Sequence, residues 1–154
     1  VTGVQTCALP ISLVSIFRGS ATNPLDVPSM PLALAEAVAA AAGSVWPMLC
    51  AFVGGLGAFI TGSNTVSDLM FGEFQWGMAG ELGLPRQIIV ATQAVGGAMG
   101  NMICVHNIVA ACAVVGLSGR EGEVLKRTFW PFMLYGIVVG IICWVLISAN
   151  PNVF

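Results

Sequence analysis

The sequence predicts an all-α membrane protein, with transmembrane helices, a re-entrant hairpin and a discontinuous helix. Three observations carry that prediction. Of the 154 residues, 57% are hydrophobic and only 8% charged, against about 25% charged in a soluble domain, and the mean hydropathy is +0.93. The 19 glycines are spread through apolar runs rather than confined to turns, a habit of membrane helices more than of soluble ones. Two of those runs carry polar or glycine-rich breaks well inside them. The charge balance, five Lys+Arg against seven Asp+Glu for a net −2, excludes a basic face for nucleic acid.

Before any element is assigned, residues 1–12 are set aside. The segment Val1-Thr2-Gly3-Val4-Gln5-Thr6-Cys7-Ala8-Leu9-Pro10-Ile11 resembles one reading frame of a sequencing-library adapter, with Ser12 at the junction. No initiator Met, n-region charge or small-x-small cleavage site accompanies it. This reading makes 1–12 an artefact and the remainder an open reading frame whose N-terminal part is missing.

Residues 13–31 read as a loop, because Arg18, Gly19, Asn23-Pro24, Asp26, Pro28 and Pro31 punctuate them and each proline lacks an N–H and biases its predecessor to extended backbone. From there, 32–148 reads as membrane-embedded. The stretch 32–59 is apolar with one charge, Glu36. Gly43-Ser44 and Pro47 interrupt it, so it is either one kinked span or two pieces. In the second case 32–42 lies at the interface and 45–60 enters the membrane as a half of about 24 Å.

Next comes a polar break, Thr61-Gly62-Ser63-Asn64-Thr65-Val66-Ser67-Asp68, and a short apolar stretch, 69–78. Residues 80–86 form an interfacial loop. The run 88–115 is apolar but broken by Gly96-Gly97 and Gly100-Asn101, with His106-Asn107 beyond the break. The loop 116–128 holds Arg120, Lys126 and Arg127, three of the five basic residues, which places it in the cytoplasm by the positive-inside rule. Residues 129–147 are uninterrupted, uncharged and long enough to span, and Asn150-Pro151 ends them.

The two breaks hold the candidate chemistry. A helix that stops within hydrocarbon leaves backbone groups unpaired at several kcal/mol each unless something bonds them, and Ser63, Asn64, Thr65 and Ser67 are suited to that task. The 61–67 segment is then either an ordinary extracellular turn or the tip of a re-entrant hairpin. In the hairpin, Gly62, Ser63, Asn64 and Thr65 and the helix N-terminus behind them would receive an anion. The second break has two readings as well. Gly96, Gly97 and Gly100 either unwind the helix, with Asn101 capping its restart, or form a small-residue packing face with Cys104, Asn107 and Ala111.

Asp68, just past the tip, and His106, the lone histidine, are the ionisable candidates at membrane depth. Glu73 and Glu81 read as solvated, and Trp46, Trp76, Trp130 and Tyr135 as interface or packing aromatics. Cys7, Cys50, Cys104, Cys112 and Cys143 form no CxxC pair and suit helix contacts. No HExxH, G-x-S-x-G, Walker loop or metal-ligand spacing is present, so neither an enzyme nor a cofactor or metal site is expected.

Taken in order, P28-S-M-P-L-A-L-A-E-A, W46-P, G57-A-F-I-T-G-S-N-T-V-S-D-L-M-F, Q93-A-V-G-G-A-M-G-N-M-I-C-V-H-N-I-V-A-A and V115-G-L-S-G-R-E-G resemble the C-terminal part of the L-lactate permease family. The likeness is dense over 28–128 and rests on hydropathy alone in the last helix. It implies a multi-pass carrier of the bacterial inner membrane for lactate, and in some members glycolate, driven by proton symport. Its implied partners are a small monocarboxylate, protons, the lipid bilayer and the N-terminal half of the same chain. The family also resembles anion transporters whose paired re-entrant hairpins carry Ser-Asn-Thr tips, which would make Ser63-Asn64-Thr65 the C-terminal tip. Asp68 stands where some relatives have Asn, and Cys104-Val105-His106 where some have a more polar stretch with proline. The rival from another class is a passive channel-forming or structural membrane subunit whose glycines serve packing alone.

Overall fold

The computed structural model describes residues 27–149, together with Ser12, Ser15, Ile16, Gly19, Ser20 and Thr22. The adapter-like segment up to Ile11, most of the 13–26 stretch and the Asn150-Pro151 stop lie outside the described residues. Among the described residues all regular structure is helical. The order is α1 (Met30–Ala42), a 3-10 turn (Gly43–Val45), α2 (Trp46–Thr61), α3 (Asn64–Glu81), α4 (Arg86–Gly100), α5 (Val105–Val114) and α6 (Glu121–Ala149).

Local chemistry sets most of these boundaries. Pro31 and Pro47 sit in the first turns of α1 and α2, where a missing N–H costs nothing. Gly43, at φ 49°, separates those two helices, so 32–59 is two helices joined by a tight turn rather than one. Thr61 ends α2 because Gly62 takes the left-handed conformation at φ 69° and returns its N–H to Ala58 O at 2.7 Å. Ser63 then caps α3, its Oγ accepting from Val66 N at 3.4 Å. Glu121 and Glu123 occupy the first turn of α6, the favourable end of the helix dipole for acids.

Among the described residues, two segments are long and apolar enough to cross a membrane, Arg86–Val114 and Glu121–Ala149, each of 29 residues. By helical rise α2 and α3 reach about 24 and 27 Å. On α6 the residues Leu134, Ile137, Val138, Ile141, Ile142 and Val145 are all exposed, a face that only lipid or protein would cover favourably.

α2 lies at the centre, against α3, α4 and α6. It meets α4 main chain to main chain: a Cβ added at Gly54 would overlap Gln93 O, one at Gly96 Ala51 O, and one at Gly100 Gly55 O. It meets α6 where Gly136 lies under the Phe52 ring and Gly140 lies on the Met48 main chain.

This contact corrects the expected position of the second break. α4 runs intact through Gly96, Gly97 and Gly100, and the helix is interrupted at 101–104 instead. The glycines are spent on closeness to α2 and α3, and a helix braced on both sides has no reason to unwind there. At the break itself the chain tightens into i to i+3 bonds, Met102 N to Met99 O and Ile103 N to Gly100 O, both 3.2 Å. Asn101 ends α4 rather than capping the restart, and Cys104 precedes α5.

Candidate substrate site

The tip of the α2–α3 hairpin and the start of α5 come together. His106 Nε2 lies against Gly62 so closely that any Cβ on that glycine would overlap the ring. Gly62 is therefore required twice, for its positive φ and for the space the imidazole takes. The side chain of Asn64 rests on Gly97 of α4, whose hydrogen leaves just enough room for Oδ1. The two breaks, more than thirty residues apart in sequence, thus share one locus.

Helix ends dominate its electrostatics. α3 begins at Asn64, and the N–H groups of Val66 and Ser67 are already taken by Ser63 Oγ and Ser63 O. The N–H groups of Asn64 and Thr65 remain at a positive helix end. α5 begins at Val105 without a side-chain cap, and its first helical bond is Ile108 N to Cys104 O at 3.0 Å. Through the Gly62–His106 contact, a side chain from the first turn of α5 lies against the turn that precedes α3, and helix N-termini favour an anion.

The remaining candidates divide clearly. Thr65 is exposed and Ser63 half-buried. Thr61 Oγ1 anchors the end of α2, donating to Gly57 O at 2.8 Å and accepting from Ser63 N at 3.3 Å. Asp68 sits one turn along α3 from Asn64. Asn64 Oδ1 and Asp68 Oδ1 are both buried and accept no hydrogen bond. His106 is otherwise exposed, with Nδ1 3.3 Å from Cys104 Sγ. Gly96 and Gly100 face α2, away from the tip, and Asn101 Oδ1 accepts from Asn107 Nδ2 at 3.5 Å.

Sequence reasoning missed Gln75 and Gln93. Both are fully buried, and Gln75 Nε2 donates to Gln93 Oε1 at 2.9 Å. A glutamine in an apolar run signals a buried polar bond only if its partner is known, and that partner lies on another helix. Among the described residues, no group of three or more His, Cys, Asp or Glu could hold a metal ion.

The sequence profile of the L-lactate permease family matches residues 4–149. The chain belongs to the L-lactate permease family. A Haemophilus influenzae protein that carries the family's name is 42% identical over 113 residues, 73% of this chain and 21% of its own length. The glycolate permease GlcA of Escherichia coli is 37% identical over 105 residues, 68% of this chain and 19% of that protein. The L-lactate permease of Bacillus subtilis is 36% identical over 127 residues, 81% of this chain and 22% of that protein. The chain thus spans about a fifth of the length of the relatives it matches. No solved structure matches it. The family is one of membrane transporters, not of enzymes.

Proposed function

We propose that this segment forms the C-terminal part of the substrate pathway in a secondary transporter that carries L-lactate, and glycolate as a smaller 2-hydroxy acid, across the bacterial inner membrane with protons. The observation that carries the reading is the His106 ring of α5 seated on Gly62, just before α3 begins, beside Asn64 on Gly97. A monocarboxylate suits that place because the helix N-termini beside it and the Asn64 amide offer donors.

In this mechanism the α2–α3 pair is a re-entrant hairpin, and the substrate carboxylate accepts from the N–H groups of Asn64 and Thr65. Ser63 Oγ accepts from Val66 N in the cap and keeps its own proton to donate to the carboxylate. Gly97 makes the facing wall by its contact with Asn64, Gly96 and Gly100 hold α4 on α2 behind it, and Asn101 ties the end of α4 to Asn107 of α5. Asp68 and His106 are the candidate proton carriers, one turn inside the tip and directly against it. The other half of the site comes from the rest of the carrier.

The test is uptake of labelled L-lactate by the full-length carrier containing this segment, in a host without its own lactate carriers. Uptake should collapse with a proton uncoupler, and Asn64→Ala should lower it more than tenfold at unchanged protein level. Wild-type uptake in both Ser63→Ala and Asn64→Ala overturns the tip assignment. Proton-driven accumulation retained in both Asp68→Asn and His106→Gln removes those two as carriers. Counterflow of labelled against unlabelled lactate distinguishes a carrier from a pore, which gives none.

A further inference from the structure

A run of side-chain hydrogen bonds crosses the interior between α2, α3 and α4, and its direction is fixed from one end. The Trp46 indole N–H donates to Gln75 Oε1 at 3.0 Å. An indole nitrogen can only donate, so the Gln75 carboxamide turns its oxygen to Trp46 and its nitrogen away. That nitrogen donates to Cys50 O at 3.1 Å and to Gln93 Oε1 at 2.9 Å. With its oxygen so used, Gln93 presents its own nitrogen to Ser67, donating to Oγ at 3.2 Å. The Ser67 hydroxyl in turn donates to Gly54 O at 2.8 Å.

Every side chain in the run after Trp46 is fully buried. Each link therefore has no water to replace it, and removing one leaves a desolvated partner. The run ends at the candidate site. Ser67 is in the first turn of α3 and donates its N–H to Ser63 O at 3.0 Å. On the α4 side, Gln93 lies one turn from Gly97, the residue that seats Asn64.

We infer that Gln93 is a positioning residue: by accepting from Gln75 and donating to Ser67, it holds the Ser63-Asn64 tip seated on Gly97 and so sets the affinity for the substrate carboxylate. The inference rests on the transport reading above. It requires an amide at this position, because one end of the side chain must accept while the other donates. Methionine has the length and neither function; a carboxylate accepts at both ends and confronts the Ser67 oxygen with another acceptor. Trp46 acts further off, since without its N–H the Gln75 amide is free to turn over and break the order of the run.

The experiment uses the full-length carrier in liposomes, with labelled L-lactate counterflow measured over a range of external concentrations and normalised to carrier amount. Gln93→Met and Gln93→Glu should each raise the half-saturating concentration tenfold or more, with the maximal rate per carrier within twofold of wild type. Trp46→Phe should raise it two- to fourfold. A merely structural role would lower the amount of carrier or its maximal rate and leave half-saturation where it was. That outcome, or unchanged half-saturation in all three variants, overturns the inference. If Gln93→Met does not accumulate, an unchanged value in both Gln93→Glu and Trp46→Phe overturns it equally. Absence of counterflow in the wild-type carrier overturns the transport reading instead, and the inference falls with it.

Discussion

Helices α2 and α4 touch main chain to main chain at Gly54, Gly96 and Gly100, whereas α6 touches α2 through Gly136 and Gly140 on one side and leaves the other bare. In the first region the buried polar side chains bond from helix to helix, Gln75 to Gln93 and Gln93 to Ser67. In the second, the hydroxyls of Thr128 and Ser148 turn back onto Leu125 O and Trp144 O of α6 itself. The difference teaches where specificity is held. An apolar face can slide along lipid or another helix at little cost, but a run of buried donors and acceptors has one register. The region beside the tip is built to hold position, and α6 is built to be covered.

The contrast can be broken most forcefully at Gly96. Gly96→Val drives a branched side chain into the Ala51 main chain, which no rotamer change relieves. Overpacking of this kind costs about 1–3 kcal/mol or more, and the yield of monodisperse, folded carrier should fall several-fold. Gly140→Ala places its Cβ 2.9 Å from Met48 O and should cost less in the same assay. Equal losses at both positions would erase the distinction.

A smaller and more local effect is expected at Gly62. Gly62→Ala combines a left-handed backbone, disfavoured by about 1–2 kcal/mol for a residue with a Cβ, with overlap on the His106 ring. Lactate uptake should drop more than tenfold and the yield of folded carrier several-fold, and His106→Ala in the same carrier should recover the steric part of that yield while leaving the backbone part. Strict additivity of the two substitutions would show that they do not touch. The smallest effect belongs to the bare face of α6. Ile141→Ala should change the melting temperature in detergent by the equivalent of less than about 0.5 kcal/mol, and a larger fall would mean that protein covers that face.

Much of this arrangement could be read from the chain alone, and the reasons are physical. The hairpin turn was visible because Thr61 to Asp68 crowds hydroxyl, amide and carboxylate groups at the end of an apolar run, and the turn does fall there, at Gly62-Ser63. The second interruption was visible but misplaced by a few residues. Glycines in a helix report either weakness or closeness, and only the neighbouring helix tells which. Here Ala51 and Gly55 make it closeness. The seat of Asn64 on Gly97 and of His106 on Gly62 could not be read, since those pairs are distant in sequence and neither residue type names its partner. Gln93 stood within a family-like motif, yet nothing about a glutamine shows that it accepts at one end and donates at the other until Trp46 fixes the direction.

The burial of Trp46 has an optical consequence. Of the four tryptophans, Trp76, Trp130 and Trp144 are 44%, 74% and 52% exposed, and Trp46 only 3%. Three indoles are thus open on this segment, within reach of a brominated acyl chain wherever no other part of the carrier covers them. The fourth emits from the protein interior, its N–H held by Gln75. Of this segment's emission, the light that survives such quenching comes from one end of the bond run, so the colour and lifetime of that remnant follow the order of the core beside the tip without any label being added.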